Sequence, residues 1–518
     1  MTGRGAAPGS AGGRPVGTFC LVLHTHLPWL AHAGAWPVGE EWLHQAFTHS
    51  WRRVVAVLEE LAAEGRRDLL TLGVTPVVAA MLDDPYCLRE LHTWAGFWQV
   101  RAEGLAARRE PALRELAGYE FRAATECLAD LEARWLSGGS AVLRRLFDDG
   151  VVELLGGPAT HPFQPLLDGR VARLQLGTGL DDARLRFGRV PAGIWAPECG
   201  YAPGLERLYA EHGVRWFCVD GPALHGDTGR ARTVAGSDVI CFGRDLSVTY
   251  RVWSPRAGYP GHAEYRDFHT FDHASGFRPA RVTSRGTRPQ DKRPWDRDAA
   301  AAAVCRDAAD FVQVVRHRLL DLAERDGRPG LVVAGYDTEL FGHWWHEGPA
   351  WLAEVLRRLP EAGVRVSTLR GAVEAGHVGE PVELGLSSWG SGKDSRVWDN
   401  PDVADLVAGS DEVQKRLLST VDVHSGQSYG RCTGGRPRDE VLDQLAREAL
   451  LVTSSDWAFM VTKDSAAAYA RDRARGHADR FGRLAALVES GDRAAAAAYA
   501  GRLRAIDGPF GHLDARQL

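Results

Sequence analysis

The sequence predicts an α/β protein: a parallel β/α barrel with an inserted subdomain, followed by an α-helical C-terminal domain. Three observations predict it. Short β-branched or apolar runs alternate with helix-length segments over most of the chain, the order of a parallel sheet wrapped by helices. Residues 220–295 break that rhythm with Gly, Pro, Arg and aromatic side chains. From about residue 402 the texture turns to Ala-rich helical patterns.

Residues 1–17, MTGRGAAPGSAGGRPVG, are small and polar, carry no apolar core of a signal segment, and predict a disordered leader. Buried strands are expected at Thr18 to Leu23, Leu69 to Val74, Val151 to Leu155, Gly193 to Ala196, Trp216 to Val219 and Leu331 to Gly335. Helix-length patterns such as Trp51 to Glu64 and Ala123 to Leu136 lie between them. The barrel is thus expected over residues 18–400, with 220–295 inserted over its mouth. A helical domain follows over 401–518, with helices at Asp439 to Leu451, Ala466 to Val488 and Asp492 to Ile506. In such a barrel the reactive groups stand just after the C-terminal ends of the strands.

Composition narrows the function class. Lys and Arg number 62 against 67 Asp and Glu, a net charge of −5 that gives no electrostatic reason to expect a nucleic acid or an anionic membrane as partner. The eight cysteines show no CxxC spacing, so neither a zinc knuckle nor a disulfide framework is indicated, and a reducing cytoplasm fits best. No apolar run approaches the ~20 residues that span a bilayer. The 17 tryptophans equal the 17 phenylalanines and outnumber the 11 tyrosines, an excess that suits either core packing or sugar-stacking surfaces. Nothing in the sequence sets an oligomeric state.

Four segments can carry chemistry. In LVLHTHLPW, His24 and His26 are two residues apart on a strand and share a face. They suit a pair of metal ligands, hydrogen-bonding groups for a substrate, or simply satisfied histidines. In VVELLGGPATHPFQPLL, two glycines and two prolines shape the loop that presents His161, while Glu153 reads as a buried, paired carboxylate of the strand. GIWAPECGY delivers Trp195 and then Glu198 after a buried strand, where a glycosidase needs an anion beside an oxocarbenium-like transition state. AGYDTELFGHWWHEGP places Asp337 at another strand end, followed by His343, Trp344 and Trp345, and supplies the acid/base partner of two-step chemistry. Adjacent side chains diverge, so one of the two tryptophans packs while the other faces the cleft.

Taken together, HTHLPW, GGPATHPFQPLL, GIWAPECGY, FGRD with VWSPRAGYPGHAEYRDF, YDTELFGHWWHEGP, SSWGSGKDSRVWDN and SSDWAFMV resemble glycoside hydrolase family fifty-seven, in particular its 1,4-α-glucan branching type. The resemblance runs in order over nearly the whole chain. It implies an incomplete (β/α)7 barrel and retaining double displacement on an α-glucan, with Glu198 as nucleophile, Asp337 as general acid/base, and no metal or organic cofactor. It also implies that His24, His26 and His161 line the −1 subsite, that Trp253, Trp389 and Trp398 line the glucan cleft, and that Asp456 either packs or makes a rim contact to it; Trp195, His343 and Trp344, within the matched motifs, are further candidates for substrate binding.

One departure bears on the acceptor. Branching members of that family are expected to carry a long tyrosine-bearing loop over the cleft. It should fall between Asp220 and Phe242, where this chain has the short, tyrosine-free GPALHGDTGRARTVAGSDVIC. Water exclusion protects a reactive intermediate, so an amylase-like α-1,4-glucan hydrolase is the alternative. A metal-dependent deacetylase using His24 and His26 is a remoter one.

Overall fold

The computed structural model describes residues 15–35, 38–254, 256–424 and 438–518. Most of the expected leader, and Cys432, lie outside these residues; Gly17 already opens the first strand. Ten strands form one sheet: β1 (Gly17–Thr25), β2 (Leu70–Val74), β3 (Val152–Gly156), β4 (Gly193–Ile194), β5 (Trp216–Val219), β6 (Ala231–Val234), β7 (Ile240–Gly243), β8 (Gly330–Asp337), β9 (Val364–Ser367) and β10 (Val378–Val382). Seven of them run parallel in the order β7, β5, β4, β3, β2, β1, β8. The sheet curls until its edges meet at two isolated bonds: Leu331 N–H donates to Gly229 O at 2.9 Å and Asp245 N–H to Val333 O at 2.8 Å. No strand ladder joins β7 to β8 among the described residues, and the seven-stranded barrel is incomplete.

Strand periodicity explains what reaches the mouth. Along β1, Phe19, Leu21 and Leu23 pack outward among the surrounding helices, whereas Cys20 and Val22 join the interior cluster with Leu155, Trp195, Trp216, Phe242, Leu331 and Val333. His24 continues the inward set at the strand's C-terminal end, and Asp337 does the same on β8, paired in register with His24. Glu153 points into the barrel floor, where it accepts bonds from Thr71 Oγ1, Trp216 Nε1 and the backbone of Arg370, the buried, satisfied carboxylate its position suggests.

Two parts of the layout differ from expectation. Strands β6 and β7 fall inside the span expected as an insertion, with β6 antiparallel to β7 and β10 parallel on the outer edge of β6. Strands β6 and β7 are each only four residues long and lie among Gly- and Arg-rich chain, so neither carries a strand signal of its own. Only the chain after Gly243 leaves the sheet, through the helical turn Leu246–Thr249 and irregular segments up to helix Arg297–Asp326. A helical hairpin, Pro85–Ala106 with Pro111–Asp130, also stands between β2 and β3.

The C-terminal unit comprises helices Ala404–His424, Glu440–Val452, Ser455–Thr462, Ala467–Glu489 and Arg493–Arg504. Its turn at Ser454 and Ser455 docks on the barrel mouth: Ser455 N–H donates to His161 O at 3.0 Å, and Gln175 of the barrel donates to Thr453 Oγ1 at 3.0 Å. No helix among the described residues is long and apolar enough to cross a membrane.

Candidate active site

A cavity of about 500 Å3 opens where β1, β4 and β8 end against the C-terminal unit. Glu198 leaves β4 in a one-turn helix, Pro197–Cys199, with a left-handed backbone (φ 61°, ψ 18°). His161 is left-handed too, at φ 56°. Neither residue is glycine, and such conformations cost about 1–3 kcal/mol each, so the surrounding contacts must hold them. Gly200 allows the turn to close, because a Cβ there would stand 2.7 Å from the Phe163 ring.

Glu198 is buried and fully engaged. Trp389 Nε1–H donates to its Oε2 at 2.7 Å, and the Ser455 hydroxyl donates to its Oε1 at 2.8 Å. Burial pushes the carboxyl up to about 7 against these two donors, and the nearby Asp456 charge adds to the rise. Asp337 is partly exposed to the cavity, and its carboxyl makes no hydrogen bond among the described residues. Desolvation, then the charge of Glu198, lifts it to about 7, opposed by Arg244 and His26. Because only Glu198 receives donors, the charge of the pair resides there and the proton stays on Asp337.

The imidazoles form a relay pointed at Glu198. His24 and His161 are held neutral, first by burial and then by neighbouring imidazoles. His24 Nε2 and His161 Nε2 lie 3.0 Å apart, and His161 Nδ1 lies 3.0 Å from Ser455 Oγ. Since the Ser455 proton goes to Glu198, Ser455 accepts from His161 Nδ1–H, which leaves His161 Nε2 to accept from His24 Nε2–H. Trp195 stacks on His24 with ring centroids 4.6 Å apart and meets Trp389 edge-on at 5.0 Å. His26 stacks on His161 at 3.6 Å, bonds Thr75 Oγ1 through Nδ1 and Asp456 through Nε2 at 3.0 Å. For Asp456, burial is outweighed by His26, and its carboxyl is held below the usual range.

His26, His161 and Asp456 are close enough to share a cation. All four ring nitrogens of the two histidines already have side-chain partners, however, so a metal would have to break that network. The donor set is built as a hydrogen-bond chain and does not fit a preformed metal centre.

Of the residues expected at the site, the cavity lining includes Glu198, Asp337, His24, His26, His161, Trp253, Trp344, Trp389 and Asp456. Trp195 stands one layer behind, supporting His24. Two expectations are corrected. Trp398 is buried flat against Phe163, centroids 4.4 Å apart, and faces a smaller cavity behind the site. His343 turns away from the cleft into a neighbouring cavity, because the chain coils tightly after Asp337 and returns Trp344 to the cleft instead. Trp345 packs in the core beside Trp351 and Tyr265, as divergence of adjacent side chains requires.

Sequence reasoning passed over several participants. Arg244 lies under Gly335, where a Cβ would stand 2.9 Å from its Cδ. Its guanidinium binds the fully buried Asp220 at 2.8 Å and covers the Trp389 ring at 4.9 Å, while Lys393 takes the other Asp220 oxygen at 2.6 Å. Glu339 accepts from Trp51 Nε1 at 2.6 Å and from the His26 backbone. Ser455 and Arg244 lay inside quoted motifs, SSDW and FGRD, but their roles depend on partners far along the chain.

Two desolvated carboxyls facing each other across a parallel barrel, one charged and one protonated, among aromatic walls, are equipped to open and re-form an acetal bond. The chain belongs to glycosyl hydrolase family 57, whose family model matches residues 20–382. A second family model, 1,4-alpha-glucan branching enzyme, C-terminal, matches residues 414–517. A probable 1,4-alpha-glucan branching enzyme of Mycobacterium tuberculosis is 54% identical over 516 residues, covering 97% of this chain and 98% of the relative. A 1,4-alpha-glucan branching enzyme of Thermococcus kodakarensis is 33% identical, over 90% of this chain and 73% of its own length. The crystal structure of a family 57-type branching enzyme from Pyrococcus horikoshii superposes with a TM-score of 0.89 at 30% identity, covering 97% of this chain and 96% of that one.

Proposed function

We propose that the protein is a retaining 1,4-α-glucan branching enzyme that works from Glu198 and Asp337. The observation that carries the reading is the unequal treatment of the two carboxyls: two donors on Glu198, none on Asp337. Glu198 attacks the anomeric carbon of an α-1,4-linked glucosyl unit while Asp337 protonates the departing oxygen. Asp337, now a carboxylate, then takes the proton of an acceptor 6-hydroxyl, and the new bond is an α-1,6 branch. His26 and Asp456, together with Trp253, Trp344 and Trp389, are the groups we assign to holding the glucan. The names of the relatives support the same substrate class.

The hydrolase reading rests on one observation. Residues 220–243, where branching members are expected to carry a tyrosine-bearing cover, contribute strands β6 and β7 to the sheet instead. Against it, Tyr250, Trp253 and Phe459 stand exposed at the cavity rim, each by at least 37%. These rim aromatics supply apolar cover from the segment after Thr249 and from helix Ser455–Thr462, which favours transfer. Incubation with amylose, followed by counting of new α-1,6 linkages and of reducing ends, decides between the two. Branches should accumulate; reducing ends alone would refute the transferase assignment. We place the protein in a reducing cytoplasm, because the seven described cysteines are all free thiols and six are buried.

A further inference from the structure

Beside the catalytic cleft lies a second cavity, of about 580 Å3. One wall is the helical hairpin, with Trp94 and Arg101, and the other is the irregular segment after β7, with Phe271 and Arg278. Trp42 and Trp344 belong to the linings of both cavities, so the two adjoin at these tryptophans.

Position in the barrel gives this cavity a side. Trp42 follows β1 and Trp344 follows β8, and these adjacent strands include the one that carries Asp337. Glu198 follows β4, separated from β1 by β2 and β3. The second cavity therefore opens off the Asp337 side of the cleft. A group in the second cavity stands on the side of the cleft from which Asp337 takes its proton.

Chemistry gives it a ligand class. Arg101 Nε and His343 Nδ1 are buried without a hydrogen-bond partner among the described residues. Among the described residues, Arg278 spends Nε on Phe268 O and brings its terminal nitrogens to no carboxylate, and Glu41 has no ion pair and accepts through one oxygen only. Unspent donors and an unspent acceptor thus stand beside aromatic faces. Of the remaining charges, Arg266 pairs with Glu120 and Asp267 with Lys292, which leaves Arg101 and Arg278 against Glu41, an excess of one cation only. Paired donors and acceptors on aromatic walls suit a neutral, hydroxyl-rich chain.

We propose that this cavity is a second α-glucan site, which holds the acceptor chain and delivers its 6-hydroxyl to Asp337. In that step the C1–Oε bond of the glycosyl–Glu198 ester breaks, the C1–O6 bond forms, and the hydroxyl proton passes to Asp337. The proposal rests on the transferase reading for its role, but not for its ligand.

The test uses Arg278→Met, Phe271→Ala and a blocking variant at an exposed position of the cavity, Ala274→Trp. Three quantities are compared with the parent protein: α-1,6 linkages formed on amylose, release of the leaving group from an aryl α-maltoside, and maltoheptaose binding in a Glu198→Gln background. Branch formation should fall at least tenfold and the KM for acceptor glucan rise by a similar factor, while aryl release stays within twofold. Maltoheptaose should lose one of two binding events. Unchanged branching and unchanged maltoheptaose binding in folded variants would overturn the proposal, as would displacement of maltoheptaose by inorganic phosphate. If the parent protein forms no branches, the transferase reading fails by itself. Maltoheptaose binding then decides the ligand alone: loss in the variants upholds a second glucan site, and no change removes it.

Discussion

The Ser455 hydroxyl, on the C-terminal helical unit, donates to Glu198 of the barrel at 2.8 Å, across 257 residues of sequence. That one bond makes the helical unit part of the reaction centre. Ser455 also receives the relay of neutral imidazoles from His24 and His161, so the hydrogen-bonded path from these histidines to Glu198 runs through it, while His161 Nδ1 itself stands 3.9 Å from Glu198 Oε1. Such an arrangement fixes a buried carboxylate in one rotamer and offsets part of its desolvation.

Removing the hydroxyl tests this. Ser455→Ala leaves His161 Nδ1 buried without an acceptor and Glu198 Oε1 without a donor, at a cost of about 1–3 kcal/mol. We expect kcat to fall about 10- to 100-fold, equivalent to that loss in the transition state, with KM for glucan changed much less. Steady-state kinetics on amylose measure both. A change confined to KM would show that Ser455 serves binding alone.

Trp389→Phe separates charge from packing at the same carboxylate. Phenylalanine keeps an aromatic ring beside Trp195 but removes the Nε1–H that favours ionised Glu198. Burial already holds Glu198 at about 7, so loss of this donor raises it further. The nucleophile must be deprotonated, and the acidic limb of kcat/KM against pH should therefore move upward by about one unit, equivalent to about 1.4 kcal/mol. An unmoved acidic limb would detach that limb from Glu198.

Asp337 predicts a trade between stability and activity. Its carboxyl is lifted to about 7 in the fold from an ordinary value of 3.8, so the native state holds a proton that the unfolded chain releases. Stability accordingly falls as pH rises through that window, and the full penalty stands above it. Asp337→Asn abolishes the charge, and the carboxyl it replaces makes no hydrogen bond. The variant should be inactive on amylose and more stable than the parent at pH 8, by about 2 kcal/mol, with the gain vanishing near pH 4. Thermal denaturation at the two pH values checks the sign.

The sequence made some of this legible for physical reasons. β1, β2, β3, β5 and β8 are continuous apolar runs because both of their faces are covered, and even the two-residue β4 falls within the expected segment. The four strands not anticipated, β6, β7, β9 and β10, sit in or beside polar and Gly-rich chain, and β10 carries a proline. Glu198, Asp337 and the histidines stand out because ionisable groups at the ends of buried strands have few structural reasons to be there. Ser455, Arg244 and Lys393 carry no such local mark: a serine at a helix start reads as a cap, and only the fold brings it to Glu198. Trp94, on helix Pro85–Ala106, walls the second cavity, and helical periodicity cannot tell such a residue from one that packs in the core.

Retaining chemistry at this site passes through a covalent intermediate on Glu198, and the most direct measurement traps it. In Asp337→Asn, α-maltosyl fluoride needs no acid to leave, while transfer from the enzyme lacks its base, so the intermediate should accumulate. Peptide mass spectrometry should find one maltosyl unit on the peptide that contains Glu198, and Glu198→Gln in the same background should abolish it. A label on any other residue, or release of inverted β-maltose with no labelled peptide, would contradict the account.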